Sequence, residues 1–303
     1  MDTTQDFSPY RQDGKLYGFV CVVTGASEPI GQAIIEELAG MLRLNDWHSH
    51  GAASIYACDK TATPQTYTAL QETLTASSPN TTLIPYPSTP TTEDETLALI
   101  DEILAAYGRL DVWVCSSGVL GPSSIHETTA ESLKVVVEAH SLGAFFALKH
   151  ASVAMGKLLT EKRAYPNAVV KNQPYGSIVV VSSVASTYGG CWGPGYTIAA
   201  HAALGVVRSG VAVLKGTGVR INCISAGQVD VGIDLHGHGR GSIGTLQEPE
   251  AQKRTIGLER AGRPQEVARV AGFLASGFSS YVTGANLVVD GGASTMNPMT
   301  IPV

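Results

Sequence analysis

The sequence predicts an α/β fold built on a doubly wound parallel sheet. Apolar runs of strand length alternate with segments whose apolar residues recur at helical spacing, and this alternation implies crossover connections between parallel strands. The strand-like runs are apolar throughout, which is typical of strands buried on both faces. With 303 residues, 44% of them hydrophobic and 15% charged, the chain suits one large domain with an ample core.

The first half of the chain shows the alternation clearly. The run "GFVCVVTGAS" ends in small residues, and "IGQAIIEELAGML" follows with helical spacing, so a strand, a tight turn and a helix are predicted in that order. A second strand, "ASIYACD", ends at Asp59. The helix "TLALIDEILAAYG" then leads into the strand "LDVWVCSSG".

The second half continues the pattern with longer helices. The helix "VVVEAHSLGAFFALKHASVAMGKLL" leads to the strand "GSIVVVSS", and a helix that starts in "GPGYTIAAHAALGVVRSG" leads to "VRINCIS". The helix "PQEVARVAGFLAS" precedes the final strand, "ANLVVDGG". No shift in composition marks a second domain, so residues 16–292 are predicted as one unit between polar tails, 1–15 and 293–303.

One segment, residues 231–255, is Gly-rich, polar and longer than most structured loops. It is predicted to be either a mobile lid or disordered. Its place after the carboxyl end of a strand favours the lid, because ligands of such sheets lie outside those ends.

Composition excludes several classes of partner. The net charge is −6 and the basic residues are dispersed, which argues against nucleic-acid binding. The polar start lacks the pattern of a secretory signal, and no apolar run approaches the roughly 20 residues that span a bilayer, so no membrane association is expected. Five unclustered cysteines fit a reducing compartment, and the cytoplasm is the predicted location.

Six segments in order resemble the short-chain dehydrogenase/reductase family: "VTGASEPIG", "GRLDVWVCSSG", "GSIVVVSSVAS", "GYTIAAHAALG", "VRINCISAG" and "YVTGANLVVDGG". The resemblance covers residues 15–292. It implies a single Rossmann-type domain of about seven strands with helices on both faces and a nicotinamide cofactor over the strand ends. It also implies a homodimer or homotetramer assembled through the two long helices and the last strand.

The family's cofactor turn reads TGxxxGxG, where glycines let the backbone approach a pyrophosphate at a helix N-terminus. Thr24, Gly25 and Gly31 match this pattern and Ile30 supplies a backbone amide, but Pro29 replaces the middle glycine. Proline has no N–H, and the carboxylate of the preceding Glu28 would repel a phosphate. Alternatively, these two residues only open the helix over a functional site.

Of the further positions in the cofactor site, some match the family and others do not. Asp59 stands where the family reads the adenosine ribose, so NAD(H) is expected over NADP(H) if any nicotinamide binds. Pro87 replaces the family's acidic contact to adenine, and Val231 replaces the threonine that holds the carboxamide. Because several contacts are lost together, the sequence analysis favours an eroded site with no bound cofactor.

The family's catalytic set is Asn, Ser, Tyr and Lys. Ser183 and Tyr196 match it, whereas Ala200 replaces the lysine and His140 replaces the asparagine. Without the lysine charge, the Tyr196 phenol is a weak base at neutral pH but remains a hydrogen-bond donor. Histidine titrates near neutrality, so His140 is a candidate acid or base, although a lone histidine is often only structural.

Between the predicted catalytic residues lies the family's substrate loop. Tyr188, Cys191 and Trp192 fall in this loop, where they either line an apolar pocket or simply pack. His236 and His238 lack a cysteine or acidic partner nearby, so no metal site is predicted.

Three functions follow from these residues. The leading hypothesis is a cofactor-independent enzyme of specialised metabolism in which Tyr196 and Ser183 bind the carbonyl of an apolar substrate and His140 moves a proton, giving cyclisation, isomerisation, epimerisation or dehydration. The first alternative is an NAD(P)-dependent oxidoreductase with an atypical site. The second is a catalytically inactive scaffold protein.

Overall fold

A computed structural model describes residues 16–40, 51–159, 170–189, 191–233 and 244–296. Over these residues the chain forms a seven-stranded parallel sheet in the order β3-β2-β1-β4-β5-β6-β7, which confirms the predicted fold class. The strands are β1 (Val20–Thr24), β2 (Ser54–Cys58), β3 (Thr82–Tyr86), β4 (Val112–Cys115), β5 (Gly176–Ser183), β6 (Val219–Ala226) and β7 (Asn286–Val289).

The strand order reverses at β1, which pairs with β2 on one side and with β4 on the other. Thr24, the last residue of β1, is therefore in register with Cys58 and with Cys115. In doubly wound sheets the crevice at this reversal, outside the carboxyl ends of the strands, is where ligands bind.

Helices cover both faces of the sheet. One core combines side chains of the sheet with those of α1 and α9, and the other combines them with α3, the long helix 130–155 and α7. The helices are α1 (Pro29–Leu38), α2 (Pro64–Ser77), α3 (Glu93–Tyr107), α4 (Ala130–Val137), α5 (Gly143–Phe146), α6 (Ser152–Met155), α7 (Pro194–Val213), α8 (Pro249–Thr255) and α9 (Pro264–Ala275).

The long helix 130–155 is not uniformly α-helical. A π-helical segment, Glu138–Leu142, separates α4 from α5, and a second, Ala147–Ala151, separates α5 from α6. Such single-turn π segments insert an extra residue into a helix and occur frequently at functional sites. The first of them carries His140.

Helix α2 and strand β3 have no counterpart in the sequence analysis. β3 contains Pro85, which cannot donate a ladder hydrogen bond and so weakens the strand pattern. The structure accommodates this proline because β3 is an edge strand of the sheet.

The structure also differs from the predicted loop over 231–255. A 3-10 turn, Gly244–Gln247, is followed by helix α8, whose first residue is a proline and whose last turn carries Lys253 and Arg254. Proline at the first position and basic residues at the end are regular signals of a helix. Residues 234–243, with His236 and His238, lie outside the described residues, and the role of a lid stays a prediction.

Among the described residues, α7 is long and apolar enough by length and composition to cross a membrane, which the sequence analysis did not expect. In the structure this helix packs against β5 and β6. Its small residues Ala199, Ala200 and Ala203 are buried there together with Leu204 and Val207. One face of α7 therefore belongs to the core, whereas Ile198, Val211 and Val213 on the same helix are exposed.

Candidate active site

The turn after β1 is closely packed against the end of β4. Gly25 has φ +67°, and a Cβ on it would lie 2.8 Å from Cα of Ser117, so only glycine fits. A Cβ on Gly31 would collide with the carbonyl oxygen of Gly25. The Thr24 hydroxyl oxygen accepts the amide N–H groups of Ser116 and Ser117 at 3.2 and 3.3 Å, which joins the two strand ends.

Helix α1 begins directly behind this turn. Its N-cap residue, Glu28, is extended and makes no side-chain capping bond, and Pro29 occupies the first helical position. The amides of Ile30 and Gly31 in the first turn therefore receive no side-chain cap and point out of the helix end, where an anion is favoured. This arrangement fits a phosphate group.

A negative charge stands beside that position. Partial desolvation, together with the nearby charge of Asp59, raises the pKa of Glu28. Desolvation is the larger cause, and the charge of Asp59 adds to it. An additional dianionic phosphate next to this pair would be disfavoured because its charge has the same sign.

Asp59 follows β2 and is 4% exposed. One carboxylate oxygen accepts the amide and hydroxyl of Ser27 at 3.0 and 2.6 Å, and the other accepts the amide and hydroxyl of Thr61 at 2.8 and 2.7 Å. Although burial pushes the pKa of Asp59 upward, these hydrogen bonds bring it below its ordinary value. A carboxylate has about four acceptor positions, so Asp59 is saturated by the protein and anchors the turn through Ser27.

The donor set therefore fits a nicotinamide dinucleotide in part. The backbone around Gly25, Ile30 and Gly31 suits the pyrophosphate, whereas the predicted contact between Asp59 and a ribose would require exchange of a hydrogen bond that Asp59 already makes. Ser27 and Thr61 were not predicted as partners of Asp59 from the sequence. The spacing of Asp59 and Thr61 is that of an Asx turn, which was the available signal.

Ser183 ends β5 and caps the short 3-10 helix Val184–Ser186, where its hydroxyl oxygen accepts the amide of Ala185 at 3.2 Å. Its hydroxyl also lies near enough to that of Tyr196, in the first turn of α7, to lower the pKa of the phenol. The structure thus brings the two predicted catalytic hydroxyls together at the carboxyl edge of the sheet.

The phenol of Tyr196 is held in its neutral form. Burial raises the pKa of Tyr196, the nearby hydroxyl of Ser183 partly opposes this, and the proximity of Cys191 raises it further. One helical turn later, Ala200 is 1% exposed and its methyl group supplies no charge. At neutral pH Tyr196 is therefore a proton donor rather than a base.

His140 packs against Tyr196 from the π-helical segment. The two rings are 5.2 Å apart at an angle of 87°, an edge-to-face contact. Nε2 of His140 is 3.1 Å from the amide nitrogen and 2.9 Å from the carbonyl oxygen of Val119, so the tautomer decides which bond forms. Burial lowers the pKa of His140, and a Cβ on Gly118 would lie 2.5 Å from its ring. The imidazole is therefore neutral at pH 7 and closely enclosed.

The predicted substrate loop has a mixed character. Tyr188 is exposed, while Cys191 and Trp192 are half-buried. Cys191 lies near enough to Tyr196 to affect its titration, and burial raises the pKa of the Cys191 thiol itself. The indole N–H of Trp192 donates to the carbonyl oxygen of Gly121 at 2.9 Å, a partner that sequence analysis did not identify. Substrate contact by these three residues stays a prediction.

Within the part of the chain that the structure describes, no group of three His, Cys, Asp or Glu side chains is arranged to hold a metal ion. His236 and His238 lie outside that part.

Comparison with known proteins identifies the family of this chain. Residues 47–294 match a family model described as enoyl-(acyl carrier protein) reductase. The chain is 30% identical to sex determination protein tasselseed-2 of Zea mays, over 95% of this chain and 83% of that protein. It is also 30% identical to (+)-borneol dehydrogenase 2 of Salvia officinalis, over 96% of this chain and 94% of that protein.

A solved structure named for a gluconate dehydrogenase of Agrobacterium tumefaciens superposes with a TM-score of 0.73 at 22% identity, covering 93% of this chain and 98% of the other, and supports the fold. The chain belongs to the short-chain dehydrogenase/reductase family.

Proposed function

We propose that this protein is an NAD(H)-dependent oxidoreductase of specialised metabolism that reduces the carbonyl group of an apolar small molecule. The observation that carries the proposal is the neutral Tyr196 phenol, which lies beside the Ser183 hydroxyl at the carboxyl edge of the sheet. Family membership and the dehydrogenase among the relatives support this redox function better than the cofactor-independent reaction that the sequence analysis favoured.

The raised pKa of Tyr196 favours reduction over oxidation. In reduction, the developing alkoxide needs a proton, and a neutral phenol donates one. In oxidation, the alcohol must lose its proton to a base, and a phenol whose pKa lies above 10 is a weak base at neutral pH. Ser183 donates a second hydrogen bond that orients the carbonyl oxygen.

A reduced nicotinamide bound at the strand ends would supply the hydride that the carbonyl carbon receives. The carbonyl oxygen takes the proton of Tyr196, the alcohol leaves, and solvent returns a proton to the phenolate. The bonds broken would be the C=O π bond, the C–H bond of the reductant that supplies the hydride and its two electrons, and the O–H bond of Tyr196; the bonds formed in the alcohol are one C–H and one O–H.

The residues that would hold the dinucleotide are those of the turn after β1. Thr24 and Gly25 shape the turn, and the amides of Ile30 and Gly31 face the pyrophosphate. The neighbouring carboxylates of Glu28 and Asp59 disfavour the additional phosphate of NADP(H). NADH is therefore the proposed reductant.

A second candidate function is the acid/base reaction without a cofactor. Two observations favour it: Ala200 supplies no charge next to Tyr196, and Asp59 is saturated by Ser27 and Thr61. In that case Tyr196 and Ser183 would polarise a carbonyl group while His140 moves a proton. The same pocket would serve both reactions, so cofactor binding distinguishes them.

Titration of the purified protein with NADH and NADPH, followed by nicotinamide fluorescence, tests the proposal. We expect NADH to bind at micromolar concentration and to be consumed with members of a panel of terpenoid and steroid ketones. Tyr196→Phe serves as the matched control: it keeps the ring and should keep NADH binding while reduction is lost. No binding at millimolar NADH would overturn the proposal and favour the cofactor-independent reaction. Binding without turnover of any ketone would favour the scaffold function.

We also propose a cytoplasmic homodimer or homotetramer. Large apolar side chains are exposed on the long helix 130–155 at Phe145 and Val153, on α7 at Val213 and on β7 at Val288. These are the elements through which the resemblance implies assembly. Light scattering after size-exclusion chromatography measures the mass, and a monomer at micromolar concentration would contradict the proposal.

A further inference from the structure

Trp192 has an unusual backbone conformation next to the catalytic tyrosine. Its φ is +119°, in the left-handed half of conformational space, where a bulky side chain is an outlier. Such residues persist only when their surroundings over-determine them, and they cluster at active sites. The contacts around Trp192 therefore indicate what its conformation secures.

The first of these contacts is the hydrogen bond from the indole N–H to the carbonyl oxygen of Gly121, at 2.9 Å. The second is the fit of the next residue, Gly193, where a Cβ would lie 2.5 Å from the carbonyl oxygen of Pro122 and 2.9 Å from Cα of Ser123. Residues 192–193 are therefore docked on residues 121–123, the loop that follows β4.

That loop is fixed from its other side as well. Gly121 has φ +65°, and a Cβ on it would lie 2.5 Å from Cγ2 of Val136 on α4. Two residues earlier, Val119 is within hydrogen-bond distance of His140. The loop after β4 thus lies between the long helix on one side and Trp192 on the other.

The position of Trp192 connects this docking to catalysis. Trp192 immediately precedes Gly193, the N-cap residue of α7, and Tyr196 lies in the first turn of that helix. Cys191, on its other side, is close enough to influence the pKa of Tyr196. A change in the backbone at Trp192 would therefore move both the start of α7 and Cys191 beside Tyr196.

We infer that Trp192 is a positioning residue. Its hydrogen bond to Gly121 joins the loop after β4 to the start of α7, and this link, which we term the Trp192 bridge, orients Tyr196 and limits the size of substrate on that side. The inference rests on the proposed function for its effect on substrate, but the bridge itself is a property of the fold.

Trp192→Phe is the principal test, because it removes the N–H donor and keeps an aromatic ring. The loss of one net hydrogen bond predicts amide deuterium exchange about 2- to 10-fold faster over residues 119–123. Among ketones, we expect kcat to fall while KM for the smallest substrate stays constant, and we expect kcat/KM for bulky ketones to rise relative to small ones. NADH affinity should not change.

Ile125→Ala is the matched control, since Ile125 lies further along the same loop, is 62% exposed, and is outside the bridge. It should leave exchange over 119–123 and the substrate ratio unchanged. Trp192→Gly removes the indole and also the steric strain of the positive φ at this position. It should therefore accelerate amide deuterium exchange over residues 119–123 more than Trp192→Phe does. If Trp192→Gly does not fold, Trp192→Phe decides alone.

Failure of the proposed function and failure of the Trp192 bridge give different results in these experiments. A parent protein that does not bind NADH overturns the proposed function, and the exchange measurement then decides the bridge by itself. Unchanged exchange over 119–123 in Trp192→Phe overturns the bridge, whatever the cofactor result. Faster exchange with an unchanged substrate ratio in an active enzyme overturns the role in specificity.

Discussion

Placing a lysine at position 200 is the sharpest test of what the missing charge does to Tyr196. Ala200 is one helical turn after Tyr196, and side chains with this spacing have Cβ atoms about 5–6 Å apart. A lysine side chain is long enough to bring its ammonium group to the phenol from there. The substitution therefore adds a cation next to a phenol that burial now keeps neutral.

The size of the effect follows from Coulomb's law. At an effective dielectric constant of 20, a unit charge about 4 Å from the phenolate oxygen is worth about 4 kcal/mol, and one about 6 Å away about 3 kcal/mol. Because one pKa unit corresponds to about 1.4 kcal/mol, the pKa of Tyr196 should fall by about two to three units. The cost of burying the ammonium group reduces this pKa shift. A lysine side chain that bends away from the phenol also reduces it, because the distance between the charges is then longer.

The assay is the pH dependence of alcohol oxidation with NAD⁺, the direction that needs Tyr196 as a base. In the parent protein the rate should still be rising above about pH 10, since the phenol has not yet ionised. In Ala200→Lys the midpoint of this rise should move down by the two to three units derived above. Carbonyl reduction at neutral pH should change much less.

Ala200→Met controls for volume, because methionine adds a chain of similar length without a charge. Its midpoint should stay at that of the parent, and thermal melts of both variants report whether position 200 accepts the larger side chain. A folded Ala200→Lys that binds NADH but leaves the midpoint unmoved would refute the reasoning. It would mean that Tyr196 is not the group whose ionisation limits oxidation.

Three further predictions concern charge and hydrogen bonding in the site. Burial lowers the folded-state pKa of His140. The free energy of unfolding should therefore be highest above about pH 6.5 and should fall at lower pH, because the unfolded chain then binds a proton more readily than the folded protein. Urea titrations of the parent and of His140→Asn at several pH values measure this, and equal slopes in the two proteins would count against it. Glu28→Gln should raise NADPH affinity relative to NADH by up to about five-fold, because one of two neighbouring carboxylate charges is removed; an unchanged ratio of the two dissociation constants shows that Glu28 does not discriminate. Asp59→Asn should cost about 1–3 kcal/mol of unfolding free energy, since an amide nitrogen would then face the N–H groups of Ser27 or Thr61. Full stability combined with weakened NADH binding would instead identify Asp59 as a ribose contact alone.

The doubly wound sheet was predictable because its inner strands carry an unmistakable signal. β1, β4, β5 and β6 are buried on both faces and read as continuous apolar runs. Edge strand β3 was not assigned because Pro85 interrupts its pattern and only one of its five residues is buried. Helix α8 was not predicted because the Gly-rich residues before it led to the whole segment 231–255 being assigned as a loop. Its own first residue, Pro249, is nevertheless a regular signal of a helix start.

The candidate site was predictable in its positions but not in its bonds. The resemblance to the family placed Ser183, Tyr196 and His140 in one site, and in the structure Tyr196 lies beside Ser183 and contacts the ring of His140. The sequence alone could not show that Asp59 is saturated by Ser27 and Thr61, because these hydrogen bonds depend on how two turns from separate strands face each other. It also could not show the φ of Trp192, which neighbouring loops impose.

The close fit of His140 over Gly118 restricts the order in which these two positions can change during evolution. A Cβ on Gly118 would lie 2.5 Å from the imidazole, so any larger residue at 118 meets the ring before it meets anything else in the site. A lineage carrying His140 can therefore vary position 118 only if the imidazole leaves its place beside Val119 or if a smaller residue replaces it. Substitutions at positions 118 and 140 are therefore expected to be coupled, with the change at 140 coming first.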